Sequence, residues 1–65
     1  MEILDARWFT AIEGIIGIVV SKNGHGDIRS YIGPASGRDE ALDAKHIAMT
    51  GASFPIEAAD ELFGR

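Results

Sequence analysis

Cysteine is absent from the 65-residue chain, so neither a disulfide nor a thiolate metal site can reinforce the fold. That absence fits a reducing compartment. Long apolar runs are missing too: the longest is "IIGIVV", Ile15 to Val20, far short of the roughly 20 residues that span a bilayer. Met1 is followed by Glu2 and Asp5, not by the basic and then apolar segments of a secretory signal. A soluble cytoplasmic protein that does not enter a membrane is therefore expected. Cations are scarce, with six Lys and Arg against ten Asp and Glu and a net charge of −4. Nonspecific nucleic-acid binding is disfavoured, because its affinity rests on neutralising phosphates.

What is present points to one small domain over residues 1–65. The chain is 46% hydrophobic, too apolar for intrinsic disorder, yet near the lower size limit at which one core sustains a fold. Residues 7–33 carry β-branched and aromatic side chains, and residues 36–63 carry alanine and carboxylates at helical spacing. "RWFTAI" (Arg7 to Ile12) reads as a first strand, and "EG" (Glu13, Gly14) as a tight turn into "IIGIVVSK". "NGHGD" (Asn23 to Asp27) is the strongest turn signal. "IRSYIG" then alternates as a third strand, which Pro34 is expected to close. Ser36 is the expected N-cap of a first helix, with Asp39 three residues on and Gly51 as its C′ residue. Its expected apolar stripe is Ala41, Ala44 and Ala48, flanked by Leu42, Met49 and Ile47. "FPIEAADELF" reads as a second helix, with Ile56, Ala59, Leu62 and Phe63 on its apolar face. The predicted fold class is α+β: a three-stranded antiparallel β-meander followed by two short helices.

The central strand is apolar on both faces, which is unusual in so small a domain. A helix pair covers one face, and Ile15, Val19, Phe9 and their neighbours are expected to be left on the other. Each aliphatic side chain left wet forfeits about 1.5–3 kcal/mol, and exposed apolar patches mark interaction surfaces. A homo-oligomer is expected on this ground. The competing arrangement is a monomer with one helix on each face.

Candidate binding residues gather around the second turn. Lys22, His25, Asp27, Arg29 and Tyr31 fall in a short span with Gly24 and Gly26, and a glycine-rich turn beside an arginine can hold a phosphate. The glycine spacing matches no phosphate-loop or dinucleotide fingerprint, and a solvated hairpin uses the same residues for turn geometry. If Arg29 and Tyr31 share a face with Arg7 and Phe9, the group suits a flat anionic ligand; ordinary cross-strand packing explains it equally. Arg7, Arg29, Arg38, Lys22 and Lys45 are the candidates for phosphate contacts, and Trp8 and Tyr31 for base stacking. Tryptophan in the place of Trp8 is more often a core or interface anchor than a ligand platform. His46 lies on the polar side of its helix. No HxxxH or HExxH spacing indicates a metal, and no nucleophile motif or enclosed carboxylate pair indicates catalysis. No catalytic residue, metal ligand or cofactor is assigned.

The stretch "WFTAIEGIIGIVVSKNGHGDIRSYIG" followed by "DEALDAKHIAMTGASFP" resembles short phage-encoded anti-defence proteins in its layout. The shared feature is a glycine-punctuated hairpin followed by one or two helices. Some proteins of that class are oligomeric sponges that sequester nucleotide signals made by bacterial defence systems. The resemblance covers most of the chain and carries no binding motif residue by residue. It implies a non-enzymatic homo-oligomer with a nucleotide or cyclic nucleotide held between subunits. A different expectation comes from the carboxylates of "DEALD" and "EAADE": a small acidic inhibitor that docks on a basic host protein.

Overall fold

A computed structural model describes residues 1–62. The elements run β1 (Glu2–Ala11), β2 (Gly14–Lys22), β3 (Ile28–Ala35), α1 (Glu40–Thr50), β4 (Ala52–Phe54) and α2 (Ile56–Leu62). The strands form one antiparallel sheet in the order β1-β2-β3-β4. The α+β class and the meander are as the pattern predicts, with a fourth strand added.

That strand is three residues long, too short to carry an alternation that a sequence could reveal. It is held by its partner. Ser30 and Phe54 are opposed across β3 and β4, and the Ser30 hydroxyl, wholly buried, donates to the Phe54 carbonyl at 3.2 Å. Pro34 does not close β3, which runs on to Ala35 with Pro34 opposite Ile16. β4 reaches only Ser30–Ile32, so β3 has a neighbour on one side alone at Pro34, and a missing N–H is tolerated there. β1 starts five residues earlier than expected, at Glu2, with a register shift between Ile3 and Asp5.

The loops follow local chemistry. Asn23 Oδ1 accepts from the backbone N–H groups of His25 and Asp27, at 2.8 and 3.0 Å, and so closes the β2–β3 turn. Asp39, not Ser36, caps α1: its carboxylate accepts from the N–H groups of Ala41 and Leu42. Ser36 instead donates to Asp43 through its N–H and its hydroxyl, and Gly37 N–H donates to the other carboxylate oxygen. The second helix begins at Ile56 behind Pro55; of its predicted apolar face Ile56 is half-buried, and Ala59, Leu62 and Phe63 lie outside the described side chains.

Cross-strand partners assign the two faces of the sheet. Ala6, Trp8, Val19, Tyr31 and Ala35 face α1 and pack on its Ala44, Ile47 and Ala48. The buried seam of α1 is thus Ala44–Ile47–Ala48, and Leu42 and Met49 are exposed. Val19 is completely buried, and Phe9 lies on the other face, opposite Ile16. Ile15, opposite Ala35, lies on the α1 face with Val19, so the expectation that Ile15, Val19 and Phe9 share one uncovered face is corrected. On the far face Val20 and Ser30 are opposed and buried, and α2 packs against β2 and β3. The helices divide between the faces, but α2 is short, and Phe9, Ile16 and Ile32 stay substantially exposed.

The seat of α1 depends on absent side chains. Gly17 and Gly33 are cross-strand partners. A Cβ on Gly17 would lie 2.4 Å from Trp8 Cζ3 and 2.6 Å from Ile47 Cδ1. Gly51 ends α1 as its C-cap with φ −69°, so no left-handed conformation calls for glycine there. Glycine is required there by space, since a Cβ would come within 2.6 Å of the Ile47 carbonyl and 2.8 Å of the Ile32 carbonyl. Gly17→Ala should lower the unfolding free energy by about 1–3 kcal/mol through overpacking. Gly24→Ala, where a Cβ meets nothing within 4 Å, should change it by less than about 0.5 kcal/mol. Urea titration of both variants checks the contrast.

Candidate functional site

The register decides which candidate residues can meet. Arg7 opposes Ile18, and Phe9 opposes Ile16, on the face away from α1. Arg29 opposes Ser21, and Tyr31 opposes Val19, on the α1 face. The aromatic and cationic group made of Arg7, Phe9, Arg29 and Tyr31 is therefore split between opposite sides of the sheet. Arg7 lies beside Asp5, with Nε 3.9 Å from Oδ2. Trp8 and Tyr31 pack against the core under α1, so their rings are engaged there.

The other cations are dispersed as well. Lys22 ends β2 opposite Glu2 and Ile28, and His25 sits exposed in the turn that follows. Arg38 lies in the loop after β3, at the other end of that strand from Arg29, a separation of roughly 20 Å by strand rise. Lys45 is exposed on α1. One chain does not bring these groups into a single phosphate clamp.

Two surface hollows flank the sheet ends. The first, about 540 Å³, is lined by Asp27, Ile28, Arg29, Ser53, Phe54, Pro55 and Ile56. It opens where β3 runs past the end of β4, and Arg29 is its cation with Asp27 as the opposing charge. Ser53, Phe54 and Pro55 carry no sequence signal for this place, because they reach Arg29 only through β4 pairing. The second, about 770 Å³, lies at the β1–β2 turn and is lined by Ala11, Ile12, Glu13, Gly14, Ile15, Ile16, Ile32, Gly33 and Pro34. It is apolar apart from Glu13. Another groove, of about 530 Å³, runs between Trp8 and the first turn of α1.

Electrostatically, Asp43 stands out. The backbone N–H of Ser36 holds its carboxyl below the ordinary value of 3.8, against an opposing effect of desolvation, with further help from Gly37 N–H, the Ser36 hydroxyl and His46. The charged form is what the β3–α1 loop binds. Among the described residues no group of three His, Asp or Glu side chains is placed to hold a metal ion, and no described helix is long and apolar enough to cross a membrane.

A group whose pKa is lowered by folding stabilises the fold above its unfolded pKa, and that contribution fades as pH falls through the folded value. Asp43→Asn should therefore be less stable than the wild type at neutral pH. The gap should narrow as pH drops below 3.8. Thermal melts of the two proteins across an acid series measure it; a gap that does not depend on pH would exclude Asp43 charge as its source.

Comparison with protein-family models, with curated proteins and with solved structures returned no match.

Proposed function

We propose that the chain is a non-enzymatic binding module that works as a homo-oligomer in the cytoplasm, holding a small anionic ligand between its subunits. The observation that carries this reading is a mismatch within the single chain. Its cations are spread over both faces and both ends of the sheet, while Phe9, Ile12, Ile16 and Ile32 remain exposed. Association of copies answers both, since it covers apolar surface and brings arginines of different subunits together.

The hollow at Arg29 is the ligand site on this reading. One arginine beside one aspartate does not hold a phosphate strongly; a second cation from a neighbouring copy completes a charge-assisted clamp. The ligand class is a nucleotide or cyclic nucleotide. Its support is the phage anti-defence layout together with a polar hollow that has the half-buried Phe54 in its lining. Sequestering such a signal needs binding alone and no chemistry.

A second reading is a small acidic inhibitor of a basic host protein. Its support is the net charge of −4 and the exposed Glu40, Glu57 and Glu61. It loses weight because Asp39 and Asp43 are engaged in holding α1 and its preceding loop.

Native mass spectrometry of gently purified protein separates these readings. The binding module is expected as a defined oligomer with a stoichiometric added mass in the nucleotide range, and Arg29→Ala should weaken retention of that mass at least tenfold. Unchanged retention in the variant removes Arg29 from the site. A bare monomer that captures a stoichiometric host protein in a salt-sensitive way would establish the inhibitor instead.

A further inference from the structure

We propose that the outer edge of β1 pairs with the same edge of a second copy, antiparallel across a two-fold axis at Ala6, so that Asp5 of each copy meets Arg7 of the other. The proposal deepens the oligomeric reading above and rests on it. β1 and β4 are opposite edges of the sheet, so this contact leaves the hollow at Arg29 open to a further copy.

β1 is ten residues long and borders β2 on one side, with its other side forming the edge of the sheet. Such an edge presents a row of backbone donors and acceptors to any strand that fits it. That row can be located. Ala6 N–H donates to Asp5 Oδ1 at 2.8 Å, so it points outward and not into the β1–β2 ladder. Residues of an antiparallel strand alternate in this respect, so Trp8 and Thr10 present their backbone groups on the same side. Two copies centred on Ala6 exchange its N–H and carbonyl with each other. Asp5 and Arg7 then fall in the non-hydrogen-bonded positions, where opposed side chains come closest.

The occupant follows from charge. Asp5 and Arg7 stand one residue to either side of Ala6, and both lie on the face away from α1, opposite Val20 and Ile18. Their side chains are 47% and 53% exposed. Antiparallel pairing about Ala6 sets Asp5 against Arg7 twice, and directly opposed charges of unlike sign stabilise a sheet. Centring the contact on Arg7 sets arginine against arginine. Centring it on Trp8 sets Arg7 opposite Phe9 and Asp5 opposite Ala11, with no opposite charges across the contact. Beside the charged pairs Leu4 comes opposite Trp8, at the groove of about 530 Å³ that Ile3, Ala6 and Trp8 help to line. Leu4 is passed over by the β1–β2 register, which shifts between Ile3 and Asp5, and that shift ends the contact. Bulges and edge charges deter strand addition in general. Here the carboxylate deters a strand that has no cation in register and admits the copy that has one.

The test is sedimentation velocity on the full chain, with Asp5→Arg and Arg7→Asp as single variants and as an equimolar mixture. Each variant alone opposes like charges across the axis and should self-associate at least tenfold more weakly than the wild type. The mixture restores both cross-chain pairs while leaving the Asp5–Arg7 contact within each chain broken, so association should return only if the pairs form between copies. Circular dichroism of each variant checks that it is folded. Hydrogen exchange of the wild type supplies a readout that needs no variant: the amides of Ala6 and Trp8 should gain protection as concentration rises through the association range. Folded variants whose mixture associates no better than either alone, or a wild-type oligomer with no protection gained at Ala6 and Trp8, would overturn this edge and leave the oligomeric reading intact. A wild type that stays monomeric at millimolar concentration would overturn both.

Discussion

Ile47 sits in a socket made by three glycines, and the rest of the fold is arranged around that contact. Gly17 and Gly33 lie side by side on the central strands, and Gly51 follows the helix that carries Ile47. A Cβ on Gly17 would collide with both Trp8 and Ile47, and one on Gly51 with two carbonyl oxygens. With those atoms absent, α1 comes down onto the sheet through Ala44 and Ala48, and Trp8 fills the remaining space from β1. The chain leaving α1 then passes so close to β3 that β4 pairs with it at once. A core of few side chains gains its density from close approach, not from bulk.

The same economy limits what can be covered. The core cluster is Val19, Ala44, Ile47 and Ala48, all on the α1 face or on the helix itself. Among the described residues α2 lies against the second face near Val20 and Ser30, and the apolar side chains at the β1–β2 end are exposed. A chain this short has little surface it can bury against itself. Apolar residues beyond that capacity are wet in isolation or covered by another molecule.

Charge is distributed in the opposite way, with local tasks for the carboxylates and none shared by the cations. Asp39 and Asp43 satisfy backbone donors at the start of α1 and in the loop before it, and Asn23 does the same for the β2–β3 turn. These groups fix the loops that a small sheet needs. Arg7, Arg29, Arg38 and Lys45 project to separate regions. Anion binding by several of them at once, as proposed, is therefore a property of an assembly and not of one subunit.

Much of this was legible from residue order alone. Turn chemistry at "NGHGD" and the alternation in "IRSYIG" located β2 and β3, and helical spacing located α1 and α2, because those signals come from neighbours in sequence. The apolar central strand likewise announced that both its faces would be in demand. Tertiary structure decided the remainder. Only the pairing register could place Arg7 and Arg29 on opposite faces, since a shift of one residue reverses every side chain. Only the packed helix could show that Gly17 and Gly51 are there for room. β4 and the hollow beside Arg29 exist because Ser30 and Phe54, distant in the chain, come into contact. Pattern is local, whereas register, close approach and the assignment of faces arise from contacts between segments that the sequence does not place side by side.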